Sequence, residues 1–182
     1  MESLRGQLLV AAPTLQDPNF LRTVVVVGEH TDEGALGVVL NRPSDTTVAE
    51  AVPDLAELVD DGDIVHVGGP VQSSAVLVLA QFAEPESAPQ LVVDDVGFLA
   101  VDDEEQEMIA VALRRARVFA GYAGWGPGQL ESEIERDDWI TVGCRCDDVF
   151  TEDPERLWSR VLDRKGGAYR LVARMPLDPT LN

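Results

Sequence analysis

"ARVFAGYAGWGPGQLE", residues 116–131, passes from an apolar segment into a corner with four glycines and then into a polar stretch. Glycine loses much backbone entropy on folding, and Tyr122 and Trp125 are too apolar for a disordered linker. The pattern predicts a strand over 116–124, a tight corner at Gly126 and Gly128, and a short helix after it.

Two interpretations of this corner stay open. Backbone amides of Gly126 and Gly128, together with the helix start, can form a ligand site with Tyr122 and Trp125 as contact surface. Alternatively, the glycines only permit a sharp strand-to-helix turn that the two aromatic rings pack. The glycine spacing fits neither the dinucleotide fingerprint G-x-G-x-x-G nor the P-loop, so nucleotide binding by those devices is not supported.

The rest of the chain alternates short apolar runs with turn signals, and we expect one domain over residues 1–182. Residues 23–30 and 35–43 predict a hairpin across an acidic, glycine-bearing turn. We therefore predict an α+β fold, an α/β sandwich whose large, mixed and mostly antiparallel sheet carries packed helices. Further strands are predicted over 6–13, 63–71, 75–82, 91–102, 139–146 and 168–176, and helices over 46–59, 103–115, 129–136 and 151–167.

Charge excludes one class of function. The chain has 14 basic and 33 acidic residues and a net charge of −19, so we expect no direct binding to nucleic acid. The dense basic spot at residues 113–117 is interpreted as the end of the predicted helix over 103–115, where arginines suit the helix dipole. No segment is apolar for long enough to cross a bilayer, and the N-terminus does not resemble a signal peptide; we expect a cytoplasmic protein.

Cysteine and histidine are scarce. Cys144 and Cys146 are expected on one face of a strand, too strained to form a stabilising disulfide. Neither His30 nor His66 lies in a metal-ligand spacing, so we expect no metal and no cofactor.

Polar groups and special backbone collect where predicted strands end, which is where binding sites often form. Glu29 and His30 are neighbours that suit acid–base chemistry by type but point to opposite faces of a strand, so an ion pair between Arg22 and Glu29 is the simpler expectation. The Gly-Gly-Pro bend at 68–70 is either a ligand-facing loop or a plain turn. The candidate binding residues are Asn19, Arg22, Glu29, His30, Asn41, Arg42, Gly68, Gly69, Pro70, Tyr122, Trp125, Gly126 and Gly128.

Several stretches together resemble the YqgE/AlgH family of bacterial proteins, in order and over nearly the whole chain: residues 6–43, the segment "VHVGGPV" at 65–71, residues 121–140 and residues 153–162. The resemblance implies a cytoplasmic α/β protein with a large mixed sheet and no established activity, and some members carry the label of transcriptional regulator. The chain departs from the pattern near Ala80, where many members have a histidine.

We expect a binding or regulatory module in which the glycine-rich corner, the Gly-Gly-Pro bend and the Asn41–Pro43 strand end line one groove. The partner is an unknown small molecule or protein, and any transcriptional role is indirect. The alternative is a hydrolase-like enzyme that uses Glu29 or His30 with Arg22 or Arg42.

Overall fold

A computed structural model describes residues 2–99 and 113–177 of the chain. Ten strands and several helices form an α+β fold. The strands are β1 Gln7–Ala11, β2 Val24–Thr31, β3 Gly34–Val39, β4 Pro43–Thr47, β5 Ile64–Val67, β6 Val71–Phe82, β7 Gln90–Val93, β8 Val96–Leu99, β9 Leu113–Trp125 and β10 Trp139–Gly143. The helices are α1 Val48–Ala51, α2 Gln129–Glu135, α3 Cys146–Val149, α4 Pro154–Lys165 and α5 Tyr169–Val172, with 3₁₀ helices at Pro53–Leu58 and Pro85–Ser87.

The strands form one mixed, mostly antiparallel sheet, as the sequence predicts. Its main path runs β10-β1-β2-β3-β9-β6-β8-β7, and β4 pairs with β5 beside it. The β2–β3 hairpin forms as expected, with Thr31 opposite Gly34. Strand β5 pairs in parallel with β9, which makes the sheet mixed.

Period-two alternation along β1, β2 and β3 separates two cores. One face buries Leu8, Val24 and Val26, and the apolar side of α4 covers it with Leu157, Trp158, Val161 and Leu162. The other face buries Leu9, Val25 and Val27 under α2 and the β1–β2 loop. A third cluster packs α1 and the first 3₁₀ helix on β6 and β9. Both faces of the sheet are thus buried at β1, β2 and β3, which explains the continuous valine run of β2.

Residues 113–117 do not end a helix; they belong to β9. Leu113 pairs with Phe82 and Arg115 with Gln81 on β6, so tertiary strand pairing overrides the local helical pattern there. Residues 103–112 of that predicted helix lie outside the described residues.

Three other local predictions are wrong. The predicted strand over 168–176 is helix α5, because Tyr169, Val172 and Ala173 follow the three- and four-residue spacing of one helical face. The predicted strand over 139–146 stops at Gly143, and Cys146 opens α3, so the two free cysteines do not share a strand face. Thr151, which the sequence predicts as the N-cap of the helix over 151–167, does not cap α4; Asp153 does, and its carboxylate accepts the backbone N–H of Arg156.

The Gly-Gly-Pro bend packs against the centre of β9 through its backbone alone. A Cβ on Gly69 would lie 2.2 Å from the carbonyl carbon and oxygen of Tyr122, and Gly69 has a φ of 155°. A Cβ on Gly68 would lie 2.3 Å from the carbonyl oxygen of Gly121. Side chains cannot be accommodated at either position while the two segments remain in contact.

We therefore expect Gly69→Ala to lower the free energy of unfolding by about 3 kcal/mol, because rigid backbone has to move to admit the methyl group. Gly143→Ala is the matched control, since nothing lies within 4 Å of a Cβ built there, and its effect should stay within about 0.5 kcal/mol. Urea denaturation of the two variants measures both values. Equal midpoints would contradict the steric account.

Candidate functional site

The candidate site lies where the end of β3 meets the β1–β2 loop and the start of α4. A cavity of about 640 Å³ is lined there by Leu21, Arg22, Asn41, Arg42, Pro154, Glu155, Arg156, Trp158, Ser159, Ala173 and Leu177. We call it the arginine groove, because its lining contains three arginines and a single carboxylate side chain, that of Glu155.

Asn41 organises one wall of the groove. It is 8% exposed, its Oδ1 accepts the backbone N–H of Val24 at 2.9 Å, and its Nδ2 donates to the backbone oxygen of Arg22 at 2.9 Å. These bonds hold Arg22 in a left-handed conformation with a φ of 54°. Such a conformation is uncommon outside glycine. It costs free energy and persists only where the surrounding structure holds the residue in place.

Arg22 and Arg42 are both fixed by neutral acceptors. Arg22 Nη2 donates to the backbone oxygens of Met175 and Pro176, and its guanidinium lies 4.2 Å from the centre of the Trp158 ring. Arg42 donates to the backbone oxygen of Leu21. Burial lowers the pKa of both guanidinium groups, but both stay charged at neutral pH.

Neither arginine has a carboxylate oxygen within 4.0 Å in the part of the chain that the structure describes. Carbonyl dipoles orient the two guanidinium groups without cancelling their charge. Arg156, the third arginine, lies 3.7 Å from the Asp153 carboxylate. The groove thus keeps a local positive charge inside a strongly acidic protein.

A larger cavity of about 740 Å³ beside α3 is a weaker candidate. Four arginines and four acidic residues line it, so its charges balance. Arg164 is held by both oxygens of the buried Asp148 carboxylate, at 2.9 and 2.7 Å, and Arg115 lies 3.1 Å from Asp147. Arg115 and Arg164 thus already have carboxylate partners within the protein.

The Gly-Gly-Pro bend meets the site from the other side of the strand end. Gly68 accepts the backbone N–H of Val39 at 2.8 Å, and Val67 donates to the backbone oxygen of Arg42 at 2.7 Å. A second cavity of about 200 Å³, the apolar pocket, is lined by Pro18, Asn19, Val39, Arg42, Val67, Gly69 and Pro70. The structure therefore brings Asn19, Arg22, Asn41, Arg42, Gly69 and Pro70 together around two cavities that share Arg42.

The glycine-rich corner does not line that site, so the hypothesis of one common groove is wrong for it. Trp125 is 6% exposed and packs against Phe20 and Trp139. Its indole N–H and that of Trp139 both donate to the same oxygen of Glu133 at 2.8 Å. Gly128 has a φ of 71° and begins α2, while Tyr122 is half-buried beside the core. The packing interpretation of the corner accounts for these contacts.

The acid–base pair does not assemble either. Glu29 is exposed and does not pair with Arg22. His30 accepts the backbone N–H of Leu4 through Nδ1 at 3.0 Å and donates from Nε2 to Glu131 at 2.7 Å. Both its ring nitrogens are thus engaged, and roughly 25 Å of strand β2 separates it from Arg22, at about 3.3 Å per residue.

Sequence reasoning missed the contribution of α4. Its residues Glu155, Arg156 and Trp158 complete the groove, and Trp158 Nε1 donates to the backbone oxygen of Ala11 at 2.9 Å. Asp153 and Pro154 suit the start of a helix and Gly166 suits its end, which predicts α4, but no local signal indicates which strands it covers.

The described residues contain no group of His, Cys, Asp or Glu side chains that could hold a metal ion. Likewise, none of the helices described is long and apolar enough to cross a membrane.

Comparisons with known proteins show the family of the chain. Residues 8–170 match the family described as AlgH-like. The chain belongs to the AlgH-like family. It is 47% identical over 190 residues to a UPF0301 protein of Thermobifida fusca, covering 99% of this chain and 96% of the relative. A UPF0301 protein of Streptomyces coelicolor is 44% identical over 188 residues, covering 100% and 97%.

Two solved structures share the AlgH-like fold. A crystal structure of a Corynebacterium diphtheriae protein superposes with a TM-score of 0.84 at 27% identity, covering 95% of this chain and 93% of the other. The solution structure of AlgH from Pseudomonas aeruginosa, a UPF0301 protein, gives 0.72 at 30% identity, covering 96% and 95%.

His66, the neighbour of Val67 on β5, is a buried side chain with a strongly shifted pKa. His66 on β5 is 4% exposed, its ring lies 5.9 Å from that of Phe119, and its Nδ1 has no hydrogen-bond partner among the described residues. Burial first, and then the charge of Arg117, lowers the pKa of His66 from 6.5 to about 4.

This shift predicts a pH-dependent stability. The unfolded chain binds a proton at His66 near pH 6.5, whereas the folded protein resists it until about pH 4, so stability falls as the pH drops through that window. The free energy of unfolding of wild type relative to His66→Gln should fall by about 3 kcal/mol between pH 7 and pH 4. Urea denaturation across this range measures the difference, and a pH-independent difference would contradict the assignment.

Proposed function

We propose that this protein is a binding module that holds a small anionic ligand, a carboxylate or phosphate, in the arginine groove. The carrying observation is that Arg22 and Arg42 are oriented by carbonyl oxygens and have no carboxylate partner in the described part of the chain. A partly desolvated arginine gains most from an anion, through charge-assisted and often bidentate hydrogen bonds.

The proposal favours recognition over catalysis. Glu29 and His30 lie far from the two arginines, and His30 is committed to Glu131 and Leu4. Ser159 is the hydroxyl side chain among the described residues that line the groove; it donates to the backbone oxygen of Arg156, and no histidine lines the groove to act as its base. Any regulatory role would act through the bound ligand or through a protein partner that senses it.

The test is titration calorimetry with inorganic phosphate and with acetate at low ionic strength. We expect Arg42→Gln to weaken binding at least about tenfold, and Arg42→Lys to recover only part of the loss, because lysine keeps the charge but not the planar fork. Arg136→Gln is the matched control, because Arg136 is exposed, lies just after α2, pairs with Asp138, and its substitution makes the same change in net charge.

Circular dichroism and thermal unfolding verify that the Arg42 variants are folded, since Arg42 also bonds Leu21. Equal weakening by Arg42→Gln and Arg136→Gln would mean that only the overall charge matters, and the proposal would fail.

Duplex DNA should not be a ligand. The net charge of −19 repels a polyanion, and one groove with three arginines neutralises few phosphates. We expect no retention of duplex DNA in an electrophoretic shift assay near 150 mM salt. A shift that weakens steeply with added salt would instead indicate phosphate contacts and contradict this expectation.

A further inference from the structure

The apolar pocket extends the arginine groove. Arg42 lines both cavities, and the same two chain segments bound them: residues 18–22 of the β1–β2 loop and residues 39–42 at the end of β3. A ligand group held at Arg42 therefore has the apolar pocket next to it.

The walls of this pocket differ in chemistry from those of the groove. Pro18, Val67 and Pro70 are exposed and present hydrocarbon, Val39 closes the floor from the core, and Gly69 leaves room because it carries no side chain. Val67 is 46% exposed, although its neighbours Val65 and His66 on the same strand are buried. An exposed valine that faces a preformed hollow is available for contact with an apolar group.

We infer that the ligand is an amphipathic acid, with its anionic group at Arg42 in the arginine groove and a short hydrocarbon chain in the apolar pocket. This inference rests on the proposed function and names its ligand class. A few placed polar groups beside a mainly apolar hollow are typical of sites that bind small organic molecules. The pocket walls offer few hydrogen-bond donors, which disfavours sugars and other polyhydroxylated acids.

Charge and hydrocarbon burial contribute separately to this binding mode. The anionic group gains hydrogen bonds from the guanidinium, whereas each buried methylene adds a hydrophobic increment that corresponds to about a fourfold gain in affinity. Affinity should therefore rise with chain length until the chain fills about 200 Å³, and then level off.

The test is calorimetric titration of the full chain with acetate, butyrate, hexanoate and octanoate, and with inorganic phosphate as a probe without hydrocarbon. We expect affinity to increase from acetate through hexanoate and to flatten toward octanoate. Val67→Ser should reduce the ratio of hexanoate to acetate affinity about tenfold, and phosphate titrated in parallel reports separately on the contact with Arg42. Val76→Ser is the matched control, because Val76 is a 39% exposed valine on β6 that lines neither cavity.

The outcomes separate the two proposals. If acetate and phosphate bind and depend on Arg42, but chain length has no effect, the amphipathic ligand is overturned and the anion-binding function stands. If affinity rises with chain length and Val67→Ser leaves that rise intact, the hydrocarbon binds elsewhere and the inference is overturned. If none of the probes binds, both proposals fall.

Discussion

The structure depends on a backbone-to-backbone contact between the Gly-Gly-Pro bend and the centre of β9. Gly68 and Gly69 lie against the carbonyl groups of Gly121 and Tyr122 at distances that exclude a Cβ. This contact lets β5 lie parallel to β9 and lets Gly68 accept a hydrogen bond from Val39. The backbone N–H of Val67 then donates to the backbone oxygen of Arg42. The contact therefore also fixes the point at which Arg42 leaves the sheet. The fold and the candidate site therefore both require that Gly68 and Gly69 carry no side chain.

A local positive charge can persist in an acidic protein because electrostatic interactions between exposed charges act over only a short distance in salt solution. Most of the carboxylates in the described part of the chain are solvent-exposed, and water and salt screen them within a Debye length of about 8 Å. In the binding mode that we propose, Arg22 and Arg42 contact the ligand at hydrogen-bond distance; their partners in the structure are carbonyl dipoles rather than carboxylates. The same residue type serves a different purpose beside α3, where the buried Asp148 neutralises Arg164 and the pair holds the loop in place. The partners of the arginines, rather than their number, therefore distinguish a binding site from a structural ion pair.

The sequence predicts what depends on near neighbours, and fails where distant segments decide. The β2–β3 hairpin follows from valine runs around a glycine-bearing turn, and α4 follows from Pro154 at its start and Gly166 at its end. Arg115 lies in a strand because Gln81, far away in the chain, pairs with it. The groove could be predicted only in part: Asn41 and Arg42 stand out at a strand end, whereas Trp158 reaches the site because α4 crosses β1, and no spacing encodes that crossing.

The glycine-rich corner orders the β1–β2 loop without lining either cavity. Phe20 lies between Asn19 and Leu21 in the β1–β2 loop, and its ring packs 6.4 Å from Trp125 and 5.5 Å from Trp139. Both indoles are held by Glu133, so the ring cluster is oriented by hydrogen bonds as well as by packing. A loop anchored in this way loses little entropy when a ligand binds, and preorganisation of this kind increases affinity. The rigid corner thus fixes the loop that supplies Asn19, Leu21 and Arg22 to the two cavities.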